Sequence, residues 1–208
     1  DGGETEDGSP YIIMEYVEGM ALLAWAEANN PSRNDRIDKL LQACAAVSFA
    51  HAKGIVHRDI TPSNVMVTAA GVVKLIDFGI ARPAGAREAA PPPTTSGSGS
   101  LHTLSLTPGF AAPEMYRRDS SMGPWTDIYA IGACIYACMQ GYPPNDAPQR
   151  MDKDRLGLAL SRLRGVYSDN LIEVVEWCMS LDALSRPQSV FALQKELSRE
   201  GERRYTKL

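Results

Sequence analysis

The sequence predicts a mainly α-helical domain that carries a little sheet. Apolar residues recur at three- and four-residue spacing through most of the chain, while β-branched and aromatic runs are short and few. Pro, Gly and Asp punctuate the periodic stretches at helix-length intervals. At 208 residues, with 44% hydrophobic and 22% charged residues, the chain suffices for one substantial core.

Taken in order, residues 1–10, "DGGETEDGSP", are acidic and rich in turn formers and read as a flexible linker, not an export leader. "YIIMEYV" from Tyr11 reads as a strand stopped by Glu18 and Gly19. "ALLAWAEANN" is a short helix, and Ile37, Leu40, Leu41, Cys44 and Val47 define a long amphipathic helix ending near Gly54. "NVMV" and "VVKLI", separated by "TAAG", predict a small hairpin. Residues 80–107 include "ARPAGAREAAPPPTTSGSGS", which has no apolar period and reads as a long loop. Helices follow at about 126–139, 152–164, 169–181 and 187–200, and 201–208 form a tail. No internal repeat is present.

Composition removes several function classes. A formal net charge of −4 leaves no broad basic surface for nucleic acid. Cys44, Cys134, Cys138 and Cys178 form no CxxC pair and no zinc-like cluster, so they read as buried free thiols of a reducing compartment. The longest apolar run, Ile128–Met139, falls short of the roughly 20 residues that span a bilayer and reads as a core helix.

The chemistry concentrates in "GIVHRDITPSNVMV", residues 54–67, where Asn64 follows Asp59 by five positions. Phosphoryl transfer asks for a carboxylate near the acceptor hydroxyl and for oxygen ligands on magnesium, since the protein mainly positions groups and offsets charge. Asp59 and Asn64 supply one of each. A second magnesium ligand is at hand in "KLIDFGIA", where Asp77 stands 13 residues after Asn64 across the predicted hairpin, with Gly79 freeing the backbone and Phe78 offering an apolar anchor.

With these motifs the chain resembles, from about Tyr11 to Leu197, the carboxy-terminal lobe of a eukaryotic-type protein kinase of the kind also found in bacteria. "HRDITPSN" is similar to the catalytic loop, "DFG" to the metal-binding turn and "LTPGFAAPE" to the end of the activation segment. "DIYAIG" from Asp127 resembles the start of the central helix, and "SRP" around Arg186 the late arginine that pairs with Glu114. The resemblance implies the α+β kinase fold: a helical large lobe with a small β-hairpin, the β-rich amino lobe largely missing, and residues 11–19 as that lobe's last strand and the hinge.

The resemblance further implies a Ser/Thr kinase using ATP and Mg2+ on a protein substrate. Asp59 would accept the substrate proton, Thr61 and Asn64 would join it in the catalytic loop, and Asn64 and Asp77 would hold magnesium. Met14 would back the adenine pocket, and the backbone of Glu15, Tyr16 and Val17 would bind adenine. Thr107 would pack beside Asp59, Arg58 would meet a phosphorylated activation loop, and His57 and Phe78 would stack beneath the nucleotide. Dimerisation is left open, and a cytoplasmic location follows from ATP use and reduced thiols.

Three departures qualify this picture. The match begins at the hinge, so the glycine-rich loop, the strand lysine and its glutamate partner lie outside it, and this segment alone is expected to be nearly inactive. Thr61 stands where Ser/Thr kinases usually carry a lysine on the γ-phosphate, and a threonine brings no charge. The loop before Thr107 holds Thr94, Thr95, Ser96, Ser98, Ser100, Thr103 and Ser105, and autophosphorylation is expected at Thr103 or Ser105. Phosphopeptide mapping tests that expectation.

A single Asp or Asn on a loop is usually a turn former, which the ordered set Asp59, Asn64 and Asp77 argues against. Glu114, Arg186 and Asp127 are assigned to architecture. His51 reads as a helix-surface residue and His102 as a loop residue; Trp125, Tyr129 and Tyr136 read as core. A kinase-like binding module without catalysis is the alternative, favoured by Thr61 and opposed by the intact magnesium set. A small-molecule kinase is the third, opposed by "TPGFAAPE", which in the family cradles a peptide acceptor.

Overall fold

The computed structural model describes residues 2–7, 9–13, 15–78, 82–83, 106–117 and 119–197, with backbone only at 10, 12, 82 and 83. Met14, Gly79, His102, the Ser/Thr-rich part of the long loop and the tail 201–208 lie outside these residues.

Helix α2 (Arg33–Ala52) starts at a capping box in which Ser32 accepts the Asp35 amide and Asp35 accepts the Ser32 amide. Its buried face is Ile37, Leu40, Cys44 and Val47, the stripe expected from spacing. Before it, α1 (Leu22–Asn29) is a short helix. Helix α3 (Pro124–Gln140) is the centre of the core and is buried from Thr126 to Met139. Its first residue is a proline, whose missing N–H costs nothing there, and it stops at Gly141, left-handed at φ 84°, whose amide returns to Ala137 O at 2.8 Å. Helix α6 (Asp169–Cys178), capped by Ser168, packs on α3 so closely that a Cβ at Gly132 would lie 2.7 Å from Cys178 Cβ. Helix α7 (Val190–Leu197) covers α6 through Val190 and Leu193.

The sheet is small. Strands β5 (Val65–Thr68) and β6 (Val73–Leu75) form the expected antiparallel hairpin, and β3 (Gly19–Ala21) pairs with the other edge of β5. Strand β4 (Ile55–Val56) pairs with β7 (Arg82–Pro83).

Three sequence expectations need correction. Part of the linker is structured: β1 (Gly2–Glu4) pairs antiparallel with β2 (Pro10–Ile12), closed by a turn in which Thr5 N–H bonds Ser9 O at 2.9 Å. That short strand replaces the longer one expected from Tyr11, since residues 15–18 are neither helix nor strand. The helix expected at 152–164 is two short ones, α4 (Ala147–Asp152) and α5 (Leu156–Ser161). Lys153 takes an extended conformation, and the Asp154 carboxylate, bound to Arg150, accepts the Leu156 amide at 2.9 Å, so the first helix ends where the second begins. Tyr129 and Tyr136 are core as expected, whereas Trp125 is half-buried. Among the described residues no helix is long and apolar enough to cross a membrane.

Candidate active site

Between β4 and β5 the chain is held by hydrogen bonds to α3. Asp127, fully buried in the first turn of α3, accepts the His57 amide at 2.9 Å and the Arg58 amide at 2.8 Å. Arg58 itself adopts φ 73°, a left-handed conformation unfavourable for a side-chain-bearing residue, and the paired amides hold it there. The His51 ring donates from Nε2 to the same carboxylate at 2.7 Å, with only 9% of its side chain exposed. This corrects the expectation of a surface histidine: the last turn of α2 points His51 inward at the loop.

His57, fully buried, donates from Nε2 to Ile76 O at 3.0 Å and accepts the Asp59 amide at Nδ1, 3.2 Å away. The two bonds select one tautomer. Its ring lies 4.4 Å from that of Phe78, so the segment between β4 and β5 and the "IDF" turn are joined by both a polar and an aromatic contact. A further bond, Ile76 N–H to Asn64 O at 2.9 Å, closes the same junction.

This frame positions Asp59. Its Oδ1 accepts the Thr107 hydroxyl at 2.9 Å, and its Oδ2 accepts Asn64 Nδ2 at 3.1 Å, while the same Nδ2 donates to Asp59 O at 2.8 Å. Both carboxylate oxygens are oriented and still carry spare lone pairs. Asn64 spends its nitrogen on Asp59, which leaves its carbonyl oxygen available to a metal ion. Asp77 follows at the end of the junction, exposed and at φ 62°. One amide oxygen and one carboxylate fit Mg2+, which usually takes one or two protein oxygens and completes its shell with phosphates and water. Among the described residues there is no group of three or more His, Cys, Asp or Glu of the kind that would make an all-protein cage.

Asp59, Asn64, Thr107, His57 and Phe78 are thus brought together, with Asp77 adjoining. Thr61 is buried, and its carbonyl accepts the Asn64 amide at 3.0 Å, closing the turn. Glu15 and Tyr16 are exposed and Val17 is half-buried in an irregular segment. Lys74 of β6 reaches Glu15 at 2.5 Å, and its hydrogen bond and charge hold that carboxyl below the usual range. Met14 lies outside the described residues.

Beneath the site, Arg186 makes two 2.9 Å bonds to the carboxylate of Glu114, which also accepts the Thr126 hydroxyl at 2.9 Å. The guanidinium lies 4.9 Å from the Tyr129 ring centroid. Two residues escaped sequence reasoning: His51, assigned to the surface, and Arg150, which is 3% exposed. A signal for His51 was present, since it continues the Cys44–Val47 stripe of α2 by one more turn.

The model of the family "Protein kinase domain" matches residues 4–197. The "Serine/threonine-protein kinase PknB" of Mycobacterium tuberculosis is 36% identical over 156 residues, which cover 71% of this chain and 23% of that protein. The "Probable serine/threonine-protein kinase PknB" of Lactococcus lactis subsp. lactis is 39% identical over 147 residues, 70% of this chain and 22% of that protein. A solved structure described as "PpkA-294 apo form" superposes with a TM-score of 0.70 at 28% identity, covering 93% of this chain and 65% of that one. The chain therefore spans less than a quarter of the length of these curated relatives.

Proposed function

The chain belongs to the protein kinase domain family, and from that premise we propose that the full-length protein transfers the γ-phosphoryl group of ATP to Ser or Thr hydroxyls of a protein acceptor. The observation that carries this reading is the Asp59 carboxylate, pinned on one oxygen by Thr107 and on the other by Asn64. A carboxylate held in this way accepts the proton of an acceptor hydroxyl as that oxygen attacks the γ-phosphorus and the bond to the β-phosphate oxygen breaks. Thr107 orients the carboxylate and Asn64 fixes its distance from the metal side of the site.

Asn64 and Asp77 would hold Mg2+, which supplies charge neutralisation on the phosphates. The irregular backbone at residues 15–17 supplies amide and carbonyl groups unused by helix or sheet, suited to the hydrogen-bonding edge of adenine. The identity to Ser/Thr kinases and the Thr107–Asp59 bond both support a Ser/Thr acceptor. Four buried, unpaired cysteines and the use of ATP support action in the cytoplasm.

The metal assignment is tested in the full-length protein with Asn64→Ala and Asp77→Asn. Calorimetric titration of ATP should show Mg2+-dependent affinity weakened in both, with Mg2+-free affinity unchanged. An unaltered Mg2+ dependence would remove both residues from the metal site.

A further inference from the structure

Helix α4 has only six residues, too few to hold itself, so its place must be set by tertiary contacts. One buried side chain ties it to α3 and to the end of α6. Arg150 is 3% exposed, and its Nη1 donates to the Tyr129 hydroxyl of α3 at 3.0 Å and to Met179 O at the end of α6 at 2.8 Å. Its Nε and Nη2 grip the two oxygens of Asp154 at 3.1 and 2.8 Å. Burial works to raise the Asp154 carboxyl, but the Arg150 hydrogen bond, the Leu156 amide and the Arg150 charge together hold it below the usual range. The guanidinium ties α4 to its place, because moving the helix breaks the buried bonds to the Tyr129 hydroxyl and Met179 O.

That placement reaches the catalytic aspartate. The segment before α4 runs from Gly141 to Asp146, which caps the helix by accepting the Gln149 amide at 3.0 Å. Within it, Pro143 and Pro144 lie directly against Gly109: a Cβ there would stand 2.7 Å from Pro144 O and 3.2 Å from Pro143 Cβ. Gly109 has φ 84°, so both its backbone and its contact demand glycine. It sits in the turn Thr107–Ala111, where the Phe110 and Ala111 amides bond Thr107 O at 3.1 and 3.0 Å, and Thr107 Oγ1 holds Asp59.

We infer that Arg150 is a positioning residue for the acceptor side of the site: through α4 and the Gly141–Asp146 segment it fixes the floor on which Thr107–Phe110 rests, and so the seat of a protein acceptor beside Asp59. The inference rests on the protein-kinase reading above. On that reading the nucleotide side, built from residues 15–17, Asn64 and Asp77, is linked to this segment only indirectly, through the Thr107–Asp59–Asn64 bonds.

The test uses full-length protein carrying Arg150→Met or Asp154→Asn, the second leaving the guanidinium in place and altering a partly exposed carboxylate. Hydrogen exchange without any substrate compares residues 106–112 with residues 55–60, which hang on Asp127. Exchange in 106–112 is expected to rise about tenfold in Asp154→Asn, and more in Arg150→Met, with 55–60 unchanged. In steady-state transfer, KM for dephosphorylated casein is expected to rise about fivefold or more while KM for ATP stays within about twofold. Unchanged exchange in 106–112, equal acceleration of both segments, or casein and ATP constants moving together would overturn the inference. If Arg150→Met does not fold, Asp154→Asn decides alone. If the wild type fails to label casein, the kinase reading fails, and the exchange comparison still decides whether Arg150 positions the turn.

Discussion

His51 and Asp127 are 76 residues apart in sequence and 2.7 Å apart in the fold, and the carboxylate between them also holds the amides of His57 and Arg58. Two helices of the core thereby set the backbone from which Asp59 projects. Removing the ring in His51→Ala should cost about 1–3 kcal/mol of stability by denaturant unfolding. Asp127→Ala should cost more, because it strands two buried amides and the imidazole N–H together. Transfer should fall in both, with ATP affinity less affected than turnover; equal stability of His51→Ala and wild type would contradict this placement.

The Glu114–Arg186 pair is buried on both sides. Breaking it with Arg186→Met should destabilise the domain by about 3–5 kcal/mol, since the glutamate is left charged and uncompensated. Glu114→Leu combined with Arg186→Met should recover a good part of that loss. A double variant as unstable as the sum of the singles would show that the pair is not coupled.

His51 and Arg150 show why part of this was hard to see in the sequence. The catalytic loop, the hairpin and α3 were legible because their signals are local: fixed spacing in "HRDITPSN", two short β-branched runs, and an apolar run from Ile128 to Met139 that ends just before Gly141. His51 has a local signal only for which face it occupies; its partner is on another helix. Arg150 has a local partner only in Asp154, four residues on; its burial follows from Tyr129 on α3 and from Met179 O, which no local pattern brings near. The β1–β2 hairpin was missed because a polar segment such as "DGGETEDGSP" carries no apolar alternation, and its pairing is with a neighbour strand.

Burial governs the cysteines. It raises the Cys44 thiol to about 12 and Cys138 to about 11, and pushes Cys134 and Cys178 well up. All four should resist iodoacetamide in the native protein at pH 8 and react on unfolding. Since the folded values lie above the ordinary 9.0, the thiol contribution to stability is complete below about pH 9 and is lost as pH rises from there through 11. Denaturation midpoints measured between pH 8 and 11 should fall; rapid native alkylation would contradict the buried assignment.

Thr61 lacks the charge that would meet the γ-phosphate, and it is buried. Thr61→Lys should raise the turnover of the full-length protein by about tenfold, provided the longer side chain extends out of the loop. Turnover falling together with thermal stability would mean that the loop cannot release a lysine into the cleft.

On this reading Asp59 receives the acceptor proton. Its most direct test is phosphate transfer from ATP to casein and to the protein itself, followed by intact mass, with full-length wild type and Asp59→Ala at equal folded fraction. Wild type should gain and donate phosphate, and Asp59→Ala should lose at least about 100-fold in rate while still binding ATP. Transfer persisting in Asp59→Ala would contradict it, and a wild type that neither gains nor donates phosphate would leave the domain a kinase-like binding module.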